Sequence, residues 1–425
     1  MYSWLSKTFA ALEHRSFRVL WIGGLGSFVA FFMAMIVQSV VAFRISGSNE
    51  AVGMVVAGQG FAMAALGPIG GAFADRWPKR RVIAVAQGVT VVTFTGLAAL
   101  VATGLITLPL LATAAVLIGA TLAFLAPARQ GLAVDLVPFE SRANAMAITN
   151  VANTGARVVG PAVAGALLAW EWSGPVGAYL CMAFLYASSA LSLSLLPKSV
   201  VRSDAREQPI FADVAAGLGY VAGHPKLRLL VTLFVVVILA GFPHVTVLPG
   251  LVEHAFARDA SDVSVLFATS AVGALSASLV VARFGDSPHA HVIYIACGLL
   301  FGVSLGGLSL APSFLFVAVA MFFVGAGSGG FQALNAAVIA NHTEPAYIGR
   351  VMSLVIMAFA GFGLMSLPYG MLADWIGERQ TLVTMGAVVV GLCALFGSLL
   401  SRQDWSEPTA VPADAATVRS VDPPA

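Results

Sequence analysis

Apolar residues run along this chain in long unbroken stretches separated by short polar breaks. Twelve such stretches lie near 17–43, 51–74, 82–104, 107–134, 143–170, 175–197, 227–250, 263–283, 289–311, 313–340, 347–373 and 379–401. Each is close to or above the roughly 20 residues a helix needs to cross a bilayer. None shows the ten-residue alternation of a membrane β-barrel. The pattern predicts an all-α membrane protein with twelve transmembrane helices.

Composition agrees. The 425 residues are 59% hydrophobic and only 10% charged, with a mean hydropathy of +0.91; soluble domains hold roughly 45–50% apolar residues. Lys and Arg then set the orientation. With both termini in the cytoplasm, 18 of the 22 fall inside, Arg44, Arg258 and Arg379 fall outside, and Arg157 is left within span five. The net charge of +2 is small and by itself says nothing about nucleic acid; no nucleic-acid partner is expected of a chain this apolar. Cys181, Cys297 and Cys393 lie within spans, odd in number and without CxxC spacing, so they read as small packing residues and no metal site is expected. Residues 1–12 form either a short interfacial helix, with Trp4, Leu5, Phe9 and Leu12 around Lys7, or a frayed end. The first apolar run has no A-x-A site after it and is kept as a span.

The breaks divide the chain into 1–197, a first six-helix bundle; 198–225, a polar linker; 226–402, a second bundle; and 403–425, a Pro/Ala-rich tail expected to be disordered. Within the linker, Phe211, Val214, Leu218 and Val221 recur at helical spacing, predicting an amphipathic helix that ends at His224-Pro225. The bundles echo each other at an offset of about 200 residues, and span five (GALLAWEWSG) and span eleven (GMLADWIGER) both end like span two (GAFADRW). Four three-helix units are the repeat signature of a secondary transporter.

The stretch GAFADRWPKRR, 71–81, concentrates five charges between spans two and three. It resembles the loop 2–3 signature of the major facilitator superfamily, with Gly71, Asp75, Arg76, Lys79 and Arg80 in matching places and Pro78 where a second glycine is usual. HRSFRVLWIG, AVGMVVAGQGFAMAALGPIGGAFADR, PARQGLAVDLVP, NTGARVVGPAVAGALLA and LGYVAGHPKLRLL are similar to the branch that holds the enterobactin exporter and multidrug or macrolide efflux proteins. The resemblance implies two pseudo-symmetric six-helix bundles and a cytoplasmic latch that closes when the carrier opens outward. In that latch Asp75 would meet Arg129 or the start of span eleven near Arg350; the alternative is a topology signal only. Gly155, Gly160, Pro161 and Gly165 loosely match the family's span-five packing motif.

No acidic residue falls in the middle of a span; Asp135, Glu253, Asp262 and Asp374 come nearest, at ends. Proton coupling is therefore implied by resemblance alone, with interfacial acids or His244 as its possible route. An Arg at the bilayer centre costs about 2.5–3.5 kcal/mol, so Arg157 should face protein or water. It is either a fixed charge for an anionic cargo or a structural Arg satisfied by carbonyls or by Asn150 and Asn153. His244, between Pro243 and Pro249 in a kinked span seven, either titrates near neutrality or packs. His289 and His291 lack a third metal ligand. In this fold spans one, four, seven and ten line a central cavity, which here would present Gln38, Phe124, His244, Gln332 and Asn335 with Phe31, Phe32, Met35, Phe234, Phe322 and Phe323.

No lysine follows a glycine, so there is no P-loop, and no HExxH occurs. Neither an enzyme nor a cofactor is expected. The resemblance implies a secondary active transporter of the bacterial inner membrane, monomeric, exporting a small amphipathic molecule, a siderophore or drug-like compound, by alternating access with proton antiport. The alternatives are a carrier that moves lipid or lysophospholipid and a membrane sensor that has lost transport.

Overall fold

The computed structural model describes residues 10–170, 172–196, 210–284, 287, 289–344 and 347–403. Twelve helices among these are long and apolar enough to cross a membrane. Spans one to six are Arg15–Ser46, Asn49–Arg76, Lys79–Ala102, Leu108–Asp135, Arg142–Ala169 and Gly174–Ser192. Span seven is broken into Pro225–Gly241, His244–Gly250 and a π-turn at Leu251–Ala255. Spans eight to twelve are Val263–Val281, Ala290–Leu310, Phe314–Asn341, Ile348–Ile376 and Glu378–Leu400.

Local chemistry places the breaks. Gly47 closes span one in the left-handed conformation at φ 66°, and the Ser48 hydroxyl caps span two by accepting from the Ala51 amide. Gly377, at φ +91°, turns the chain between spans eleven and twelve. Pro243 interrupts span seven, because proline supplies no amide and clashes with the preceding turn.

The two bundles share one packing plan. Span two packs on four and three on six, as eight packs on ten and nine on twelve. The closest approaches match: a Cβ on Gly119 would lie 2.3 Å from the Gln59 carbonyl oxygen, and one on Gly325 would lie 1.8 Å from that of Ser270. Between the bundles, span two runs against eleven and five against eight; span one touches the His244–Gly250 segment. Spans four and ten form no comparable contact with the opposite bundle. The two seams therefore bracket a central interface.

The linker helix forms at Ile210–Gly223 and packs on the start of span eleven. Gly217 and Val221 are buried there, while Leu218 is 55% exposed, so the packed face is rotated from the one the apolar spacing marks. A Cβ on Gly217 would stand 3.0 Å from the Arg350 carbonyl oxygen; this close approach turns the helix. The Tyr220 ring stacks on Tyr347 at 4.2 Å, and its hydroxyl accepts from the Glu344 amide. The expected disordered tail, most of the expected interfacial N-terminal helix and linker residues 198–209 lie outside the described residues. Residues 10–13 form a single 3-10 turn.

Candidate functional site

Arg157 stands about midway along span five, and Gly160, one turn on, lets that helix close on span one. A Cβ on Gly160 would lie 2.7 Å from Phe32 Cβ and 3.0 Å from the Val29 carbonyl oxygen. The same approach brings the Arg157 guanidinium to 5.5 Å from the centre of the Phe32 ring. Among the described residues no carboxylate pairs with it. Two aromatic rings, Phe31 and Phe32, meet edge-on beside it at 5.1 Å. The result is an apolar, aromatic wall with a cation at mid-span that no carboxylate among the described residues pairs, on a helix that also packs against span eight of the second bundle.

The other expected cavity residues divide. Gln38, 3% exposed on span one, has an amide nitrogen without a partner, as does the hydroxyl of fully buried Thr246 on span seven. His244 is also buried, with Nδ1 at 2.8 Å from the Gly241 carbonyl oxygen, where it bridges the break in span seven. Asn335 is buried inside the second bundle, accepting from the Tyr294 hydroxyl at 3.3 Å. Gln332 donates to Ser328 of its own helix at 3.2 Å. Phe124 meets Phe73 edge-on at 5.6 Å, within the first bundle.

Of the expected latch residues, Lys79, Arg80 and Arg129 have partners within the first bundle. Lys79 pairs with Asp135, and Arg80 donates to the carbonyl oxygens of Leu196 and Ser194. Arg129, 7% exposed, donates to Ser189 at 3.4 Å and lies 5.0 Å from the Phe28 ring centre. The Arg350 guanidinium lies over Tyr347 at 5.3 Å. Arg76 is exposed at the end of span two, and the backbone places Asp75 in its last turn. A Cβ on Gly71 would meet nothing within 4 Å; the close approach belongs to Gly70, where it would lie 2.1 Å from the Ala123 carbonyl oxygen. In span five, Gly165 faces Ser264 of span eight, Pro161 is buried, and Gly155 faces open space.

A cluster of polar ties between the bundles lies at the opposite end, the far face, where spans one and two connect. Asp374, in the last turn of span eleven, accepts from the amides of Asn49 and Glu50 at 2.9 and 2.8 Å, from the Asn49 side chain at 2.9 Å and from the Ser48 hydroxyl. The fully buried Asn49 side chain also donates to Glu378 at 3.0 Å, and Glu378 lies 2.7 Å from His254 Nδ1. Arg44 pairs with Asp259 beside them at 2.6 Å. Below this cluster the helices touch main chain to main chain. A Cβ on Gly53 would lie 2.5 Å from the Ser366 carbonyl oxygen, and one on Gly363 would lie 2.6 Å from Gly60 Cα. Further along span two, a Cβ on Gly67 would meet nothing within 4 Å. The seam is shut at the far face and loose toward the terminal-bearing face. The sequence carried a signal for this cluster in the echo of GAFADRW by GMLADWIGER.

Comparison with known proteins places this architecture. The family model described as Major Facilitator Superfamily matches residues 20–360 and 233–404. The staphyloferrin A transporter of Staphylococcus aureus is 23% identical over 270 residues, 64% of this chain and 67% of that protein. A bacterial homologue of the human lysosomal transporter Spinster, solved inward-facing and occupied, superposes with a TM-score of 0.72 at 16% identity, covering 94% of this chain and 99% of the other. The nucleoside transporter NupG superposes with a TM-score of 0.69 at 13% identity, covering 91% and 99%. With its twelve spans, paired bundles and a family match running nearly end to end, the chain belongs to the major facilitator superfamily.

Proposed function

We propose that this carrier exports a small amphipathic molecule with an anionic group, of siderophore or drug-like type, across the bacterial inner membrane. Arg157 carries the reading. A guanidinium at mid-span without a counter-charge among the described residues is costly unless it faces water or an anion, and the aromatic wall beside it suits the apolar part of such a cargo. The staphyloferrin A transporter, named for a siderophore, supports the cargo class. Gln38 and Thr246, both buried with unmet hydrogen-bonding capacity, are further cargo contacts. The Lys and Arg bias supports cytoplasmic termini, so the shut far face is extracellular and this conformation opens inward. Asp75, with Arg129 and Arg350, latches the cytoplasmic side in the opposite state. Transport is by a monomer, with protons as the counter-ion reaching it through interfacial carboxylates or His244.

Uptake into inverted membrane vesicles tests this. Anionic siderophores, macrolides and lysophospholipids are offered with and without a collapsed proton gradient. Wild type concentrates one anionic class in a gradient-dependent way; Arg157→Gln loses that class, and Arg157→Lys retains part of it. Equal transport by wild type and Arg157→Gln refutes the cargo site. Uptake that ignores the gradient refutes antiport, and uptake of lysophospholipid alone establishes the lipid-moving alternative.

A further inference from the structure

Four inter-bundle hydrogen bonds at the amino end of span two converge on one carboxylate, and a fifth runs from the Asn49 side chain to Glu378. Asp374 takes up the amides of Asn49 and Glu50, two of the donors that a helix start leaves unmet, along with the Ser48 hydroxyl. It therefore supplies from the second bundle what an N-cap residue usually supplies from the helix's own chain. Its charge also faces the positive end of the helix dipole. The neighbouring Arg44–Asp259 pair is weaker support, because its side chains are 35% and 58% exposed and exposed pairs contribute about 0–1 kcal/mol.

The two helices of this seam have matching layouts. Span two begins at Asn49 and carries Asp75 26 residues later; span eleven begins at Ile348 and carries Asp374 26 residues later. They run antiparallel, with Gly53 against Ser366 and Asn49 against Gly370. In that register Asp75 stands to the start of span eleven as Asp374 stands to the start of span two.

We propose that Asp374 is a detachable cap that locks the far face, and that the carrier alternates by exchanging it for the Asp75 cap at the other end of the same helix pair. Each aspartate closes one face by completing the partner helix's amino end. With the far ends held together, the helices splay toward Gly67 and Gly71, where the seam is unfilled. Opening the far face uncovers the amides of Asn49 and Glu50 to water and gives up the shared cap. This rests on the alternating-access reading above, and Asp374 is a positioning residue that touches no cargo.

The test measures distances by double electron–electron resonance on the full chain in nanodiscs, with the three native cysteines replaced. One spin pair, at the exposed far-face positions Leu105 and Ser313, reports the locked end; another, at Glu140 and His289, reports the opposite face. Asp374→Asn keeps the shape and removes the charge, and Asp374→Ala removes the cap. Losing an N-cap is worth about 0.5–2 kcal/mol, so the ratio of far-open to far-shut molecules should rise roughly 2- to 30-fold. The second pair should shorten in step. Asn49→Ala, which removes a donor from the other helix, should shift both pairs the same way and stands in should the Asp374 variants misfold. The lock is overturned if Asp374→Ala and Asn49→Ala keep the wild-type distributions while Gly53→Ala, which wedges the same seam, moves them. If neither spin pair changes in any of these variants, the carrier does not rock, and the alternating-access reading falls with the lock.

Discussion

Gly53→Ala is the most direct test of the far-face seam. The added Cβ would stand 2.5 Å from the Ser366 carbonyl oxygen, 2.9 Å from Leu367 Cα and 3.0 Å from the Ser366 carbonyl carbon. All three are main-chain atoms, so no side chain can rotate away, and span eleven must recede by about 1 Å to restore ordinary contact. Overpacking of this kind costs about 1–3 kcal/mol. The cost falls on the far-shut conformation and is relieved when the bundles part, so the population ratio should move toward far-open by about 5- to 150-fold. Two glycines supply the controls. Gly119→Ala creates an equal clash, 2.3 Å from the Gln59 carbonyl oxygen, but inside the first bundle. It should lower thermal stability and leave the distance distribution alone. Gly67→Ala meets nothing within 4 Å and should be silent in the far-shut state. The Leu105–Ser313 spin pair reads all three in nanodiscs. The reasoning fails if Gly53→Ala matches wild type in both distance and melting, or if Gly119→Ala shifts the distances as far as Gly53→Ala does.

Other outcomes follow from the site. The Asp259 carboxyl lies in the loop outside the spans; burial would raise its pKa, but hydrogen bonds from Ser261 and Arg44, with the Arg44 charge, outweigh this and hold it below the ordinary value. A depressed carboxylate contributes fully above the unperturbed pKa of about 3.9 and is lost only as pH falls through the lower folded value. The Arg44–Asp259 tie should therefore be constant from about pH 5 to 8, and Arg44→Gln should leave the shape of a transport–pH profile in that range unchanged. Tyr294→Phe leaves the buried Asn335 carbonyl without its donor. It should cost about 1–3 kcal/mol of stability, read as a lower melting temperature with unchanged cargo selectivity. Tyr220→Ala removes the stack on Tyr347 and the bond to the Glu344 amide, and should increase protease cleavage within the linker while the spans stay intact.

Much of the architecture was legible in the chain because the bilayer demands long apolar helices, and apolar length needs no tertiary information. Span seven shows where that reading stops. The Pro243 and Pro249 pair marked a kink, but the separation into Pro225–Gly241, His244–Gly250 and a π-turn depends on what packs around it. The linker helix was legible as a helix; its docked face was not, because Gly217 against the Arg350 main chain carries no apolar signal. Arg157 stood out as the one Arg left within a span, while its lack of a carboxylate partner among the described residues required the structure. Gln332 and Asn335 were grouped by the helix that carries them, and Tyr294 and Ser328 draw them into ties within their own bundle instead. Asp374 reads from the sequence only as a span-end acid, because its meaning lies in Asn49, more than 300 positions away.

The main-chain contacts along spans two and eleven also decide how the protein can mutate. Where a side chain blocks a larger residue, a second substitution that trims the neighbour restores the fit. At Gly53 the blocking atoms belong to the backbone of Ser366 and Leu367, which every amino acid shares. No single side-chain replacement on the facing helix can make room. A genetic search for suppressors of Gly53→Ala should therefore yield changes elsewhere, at positions that tilt span eleven or loosen the far-face cap, and none that merely shrink its contact partners.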